Sequence, residues 1–240
     1  MNITMEELVS KLEQLYPHQI EEMDHPFASP QFHKRFALCQ DALRDTNLMN
    51  SWENLKNQFA KHTENHNIIC GDNELVSGVP AFRFGMEIEN SVDYKVFFYF
   101  VISIIQPVFS YYFIDYEKFP KINGAAKNTL GPLKKKFLSF GLSAQYDDLA
   151  AGRMSAVDID LPTSEKLRFL MSSPRLAPKK ESEQAIITLF SELALQEFPA
   201  LTYLPKSLAE TKLTNVAPKM PDPKISYTIF DCLFMAEFNY

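Results

Sequence analysis

Residues Val96 to Ile114 (VFFYFVISIIQPVFSYYFI) carry no charge. A run this long and apolar leaves two outcomes, a helix across a bilayer or a pair of strands inside a sheet, because about 18–20 apolar residues span a bilayer core. The residue types favour strands. The stretch is built almost entirely from Val, Ile, Phe and Tyr, with no Leu, Ala, Met or Gly. Branched and aromatic side chains fit a pleated, half-buried surface better than a helix. Gln106-Pro107 divides the run into two halves of strand length, since proline lacks an amide donor and pushes the residue before it toward extended backbone. Lys95 on one flank and Lys118 and Lys121 on the other give no charge asymmetry to orient a span. The run therefore predicts a two-strand unit in a sheet and no membrane segment.

The upstream pattern agrees. Phe82, Phe84, Met86 and Ile88 alternate with Arg83, Gly85, Glu87 and Glu89, the period of a strand with one wet face. Asn90-Ser91 supplies a turn. Strands then follow over Val92 to Ile105 and Val108 to Glu117, apolar on both sides, so both faces should be covered. The connections are too short for crossover helices, which makes the unit an antiparallel meander.

Helical periodicity surrounds it. Thr4 and Glu7 form a capping-box pattern, with Ile3 and Leu8 placed as a hydrophobic staple. Leu8, Leu12 and Leu15 mark one face of that helix, which should stop before Pro17. A second helix begins with Ser29 as cap and Pro30 in its first turn, with Phe32, Phe36, Cys39 and Leu43 as its stripe. A third starts near Ser51 and carries Trp52, Leu55 and Phe59. Beyond Lys118 the sequence predicts a loop over Lys121 to Gly131, a short helix over Leu133 to Phe140, an edge strand over Val157 to Leu161, and a helix from Thr163 through Met171. A longer helix covers Glu181 to Phe198, with Ile186, Leu189, Phe190 and Leu193 on one face and Pro199 as its stop. Residues 218–223 (PKMPDP) form a linker. The segment from Ile225 to Phe238 alternates again and predicts a C-terminal strand that joins the sheet or pairs with another chain.

Together these patterns predict one α+β domain over residues 1–240: an antiparallel sheet packed with N- and C-terminal helices. Its parts are a helical layer (1–63), a core meander (80–117), helices (163–198) and the C-terminal strand (224–239).

Composition narrows function by exclusion. The net charge of −6 argues against a nucleic-acid partner. Only 7 glycines are present against 20 Phe and 10 Tyr, and neither G-x-G-x-x-G nor a P-loop occurs. GxSxG is absent as well. The start, MNITMEELV, lacks the basic and apolar regions of a signal peptide. Cys39, Cys70 and Cys232 are odd in number and widely spaced, which fits a reducing cytoplasm rather than a disulfide framework.

Three clusters carry candidate chemistry. His62, His66 and Cys70 have H-x3-H-x3-C spacing, and on one continuous helix these zinc-compatible groups would share a face. The competing reading is two ordinary histidines that extend the Trp52–Phe59 stripe, with Asn65 to Asn67 ending the helix and no fourth ligand nearby. Asp158 and Asp160 put two carboxylates on one face of a strand, with Asp147 and Asp148 upstream, as a hard divalent cation would want. The simpler reading is a charged edge that resists aggregation. Lys134, Lys135 and Lys136, beside Phe137 and Phe140, could contact a phosphate or an acidic partner, or form a solvated helix face. Cys39, on an apolar stripe, reads as a buried inert thiol.

The resulting expectation is a noncatalytic, cytoplasmic protein-binding protein, in the manner of an immunity or antitoxin-like protein, with a protein partner and a homodimer as the alternative assembly. No cofactor is expected. The rival is a metal-assisted hydrolase or transferase that uses a divalent metal at Asp158 and Asp160 or at His62 and His66.

Overall fold

The structure, a computed structural model, describes residues 4–16, 30–63, 66–70, 75, 78–91, 94–118, 169–171, 174–213 and 227–234. Helix α1 (Met5–Leu15) begins where the capping box predicts. Thr4 Oγ1 accepts from the Glu7 amide at 3.2 Å, and Glu7 Oε2 accepts from the Thr4 amide at 3.1 Å. Leu8, Leu12 and Leu15 form its buried face, and Tyr16 closes it just ahead of Pro17. Ile3 of the expected staple and Ser29 of the expected second cap lie outside the described residues.

Helix α2 (Pro30–Arg44) has Pro30 in its first turn. Its buried face is not the expected stripe. Arg35, Cys39 and Ala42 face inward, while Phe36 is 36% exposed. Cys39 is shared with the expected stripe, but Arg35 and Ala42 replace Phe36 and Leu43 beside it, and the Arg35 guanidinium finds aromatic faces to lie against. It sits 4.6 Å over the Tyr16 ring and 5.3 Å over the Phe32 ring. Helix α3 (Thr46–His62) begins earlier than expected, because Asp45 accepts from the amides of Asn47 and Leu48 at 3.0 and 3.1 Å. Trp52, Leu55 and Phe59 are fully buried, as their spacing predicts.

The uncharged run is indeed a pair of strands. Strands β1 (Asn67–Cys70), β2 (Ala81–Asn90), β3 (Tyr94–Ser103), β4 (Val108–Lys118) and β5 (Phe169–Met171) lie side by side in chain order. Strand β6 (Thr202–Tyr203) also pairs with β4, in parallel. The sheet is mixed but mostly antiparallel, and the fold is α+β. Gln106-Pro107 forms the turn between β3 and β4, where the Val108 amide reaches back to the Gln106 carbonyl at 2.7 Å. Every residue from Val108 to Asp115 is buried, so β4 is covered on both faces. Among the described residues no helix is long and apolar enough to cross a membrane.

The chain divides into two compact units. The first takes Met1–Met86, Tyr99–Tyr111 and Pro178–Tyr240, and the second takes Glu87–Phe98 and Tyr112–Ala177. Strands β2, β3 and β4 contribute residues to both. The core of the first unit is a cluster of rings. Phe59 stacks on Phe190 at 4.0 Å and meets Phe84 and Phe100 edge-on at 5.2 and 5.4 Å, and Trp52 stacks on Phe82 at 4.9 Å. Phe190 comes from helix α4 (Glu181–Glu197), which ends before Pro199 as expected. Its inward face is Glu183, Ile187, Phe190, Leu193 and Ala194, with Ile186 half-buried rather than central. Lys180 makes no side-chain cap, and Glu183 reaches back to accept the Lys179 amide at 2.5 Å, which fixes the chain's entry into the helix.

Two expected elements differ. Phe169–Met171, read as the end of a helix, is strand β5, paired antiparallel with β4 so that Tyr116 faces Met171. In the described part of the C-terminal segment, residues 227–234, the expected strand is reduced to Tyr227–Thr228, which does not join the main sheet. Short helix α5 (Lys206–Ala209) leads to β7 (Lys212–Leu213), which pairs with β8 (Tyr227–Thr228) as a separate ribbon. Residues Ile229–Phe234 then form helix α6. The reason is local. Thr228 Oγ1 accepts the Asp231 amide at 3.2 Å and Asp231 Oδ2 accepts the Thr228 amide at 2.8 Å, a reciprocal cap that starts a helix. The expected elements between Lys121 and Leu161 lie outside the described residues.

Candidate functional site

The zinc-compatible spacing is not carried by one helix. His62 is the last residue of α3 and is exposed. Thr63 then folds back, its amide and hydroxyl both donating to the Ala60 carbonyl at 3.2 and 3.1 Å. The His66 amide donates to the Thr63 carbonyl at 2.8 Å, so His66 sits in the turn, and Cys70 ends β1. Among the described residues no group of three or more His, Cys, Asp or Glu could hold a metal ion. Asp158, Asp160, Lys134, Lys135 and Lys136 lie outside the described residues.

Among the described residues, buried polar groups come together in two clusters, one in each unit. In the second unit the cluster is built on β4. Phe113 and Arg175 exchange backbone hydrogen bonds of 2.9 and 3.0 Å, an isolated antiparallel bridge. Residues opposite each other in such a bridge share a face, as does the residue two places along. Asp115 is that residue. The Arg175 guanidinium therefore lies 4.4 Å over the Phe113 ring and meets Asp115 with two parallel bonds, Nε to Oδ2 at 2.9 Å and Nη2 to Oδ1 at 3.0 Å. Its third arm, Nη1, donates to the Ala177 carbonyl at 2.7 Å. The Tyr94 hydroxyl adds a third donor to the same carboxylate at 2.9 Å. Burial, and then the bond to Asp115, hold the Tyr94 phenol above its ordinary pKa. The phenol remains a donor, and the carboxylate accepts two hydrogen bonds on Oδ1 and one on Oδ2.

In the first unit the cluster surrounds α6. The last carbonyls of a helix have no partner within it, and its C-terminal end carries partial negative charge. Tyr16 at the end of α1 donates its hydroxyl to the Cys232 carbonyl, and Arg83 on β2 donates Nη2 to the Phe234 carbonyl at 3.4 Å. Arg35 is 3% exposed and adds positive charge near the same end. Its Nε has no hydrogen-bond partner among the described residues. Burial drives the Tyr16 phenol well above its ordinary pKa, with Arg35 opposing the shift. Burial also pushes the Cys232 thiol up, and Asp231 adds to it. Cys39 and Cys232 are both buried. The Cys232 thiol stays protonated, the opposite of what a nucleophilic or redox-sensing cysteine requires.

A third aromatic group lies nearer to solvent in the first unit. Tyr203, 36% exposed, stacks on Tyr111 with ring centres 5.7 Å apart, and the two hydroxyls are 3.4 Å apart. The β6 register sets this pair beside Phe109.

Asp115, Arg175, Tyr94, Tyr16 and Arg35 were not singled out by the sequence patterns. Asp115 had a visible signal, as the first charge after the uncharged run. Arg175 had none, because its partner is 60 positions away. Comparison with known proteins finds no matching family model, no matching curated protein and no matching solved structure.

Proposed function

We propose that this chain is a noncatalytic protein-binding protein of the cytoplasm, in the manner of an immunity or antitoxin-like protein that neutralises a basic partner. The observation that carries the reading is how the described reactive groups are engaged. Asp115 accepts from Arg175 and Tyr94, Glu183 accepts the Lys179 amide, Glu87 lies 3.7 Å from Lys95, and the Cys39 and Cys232 thiols are buried. These are architectural uses. The net charge of −6 supplies the complementary field for a basic surface. The immunity comparison is one of class only. Lys134, Lys135 and Lys136 would have to meet acidic groups on that partner, since they repel its basic surface.

The test is a native pull-down with the full chain, followed by measurement of assembly mass by light scattering. A single basic protein recovered in defined stoichiometry supports the reading. A homodimer that recovers no other protein replaces it with self-association. Stoichiometric zinc or manganese in the purified chain, lost in His62→Ala or Asp160→Ala, replaces it with the metal-assisted enzyme.

A further inference from the structure

We draw no further inference here: the strongest candidate, the surface patch on α2 where the exposed Phe36 ring stacks on Phe32, carries nothing, because nothing in the structure shows what covers it.

Discussion

Arg175 and Asp115 meet through two parallel hydrogen bonds of 2.9 and 3.0 Å, and their side chains are 15% and 5% exposed. A pair so far withdrawn from water is held by its geometry, since each charge left alone would be costly to bury. Arg175→Ala should therefore destabilise the fold by about 3–5 kcal/mol, measured by urea unfolding. The double change Asp115→Leu with Arg175→Met should cost clearly less than either single truncation. Arg175→Lys should recover only part of the loss, because a point charge cannot reproduce the two-armed contact. Equal costs for single and double variants would show that the ion pair is not the source of the effect.

The observed face of α2 makes a prediction opposite to the hydrophobic pattern. Phe36→Ser should cost at most about 1 kcal/mol, because an exposed ring loses little beyond its stack on Phe32. Phe59→Ala should cost about 3–5 kcal/mol, since it removes the ring shared by Phe84, Phe100 and Phe190. Chemical denaturation of the two variants decides between the observed face and the expected one.

Alkaline stability follows from the raised thiol and phenol. Cys232 has an ordinary pKa of 9.0 and Tyr16 of 10.0, and burial raises both in the folded state. Below pH 9 both groups are protonated whether the chain is folded or not, and they impose no pH dependence. Above those values the unfolded chain loses protons that the folded chain keeps. Stability should then fall with rising pH, with a slope approaching about 1.4 kcal/mol per pH unit for each group. Cys232→Ala should remove the part that begins near pH 9. Equilibrium unfolding between pH 7 and pH 11 reads this directly, and a flat profile would contradict the buried setting of both groups.

The reciprocal cap at Thr228 and Asp231 should be worth about 1 kcal/mol. Thr228→Ala should lower amide protection across residues 229–234 before it affects α3 or α4, measured by hydrogen exchange. Uniform loss of protection across the chain would mean that the cap does not act locally.

If acidic charge guides the proposed partner, association should slow about tenfold or more as salt rises from low to high ionic strength. Dissociation should change little. Stopped-flow mixing with the partner recovered in pull-down provides the measurement.

Local rules made much of the architecture legible. The Thr4–Glu7 cap, the Trp52–Leu55–Phe59 face and the division of the uncharged run at Gln106-Pro107 all depend on neighbours within a few positions. The face of α2 was not legible, because burying Arg35 depends on the Tyr16 ring from another helix. The segment Ile229–Phe234 is apolar nearly all round, so strand and helix periods fit it equally. The deciding signal was the Thr228–Asp231 spacing rather than the apolar residues. Among the candidate site residues, the H-x3-H-x3-C spacing implied one helical face only while α3 continued, and α3 ends at His62. The Asp115–Arg175 pair was half legible, as an unexplained charge without its distant partner.

Tyr16 and Cys232 are 216 positions apart, yet one holds the other's carbonyl in place. The first unit therefore closes on a contact that spans nearly the whole chain. During synthesis, Tyr16 emerges long before α6 exists, so its hydroxyl meets the Cys232 carbonyl only after about 200 further residues are made, at roughly 5–20 residues per second. Contacts of such long sequence separation also slow folding once the chain is complete. The Tyr16 contact thus ties the end of α1 to the last described element, and it forms only once both are present.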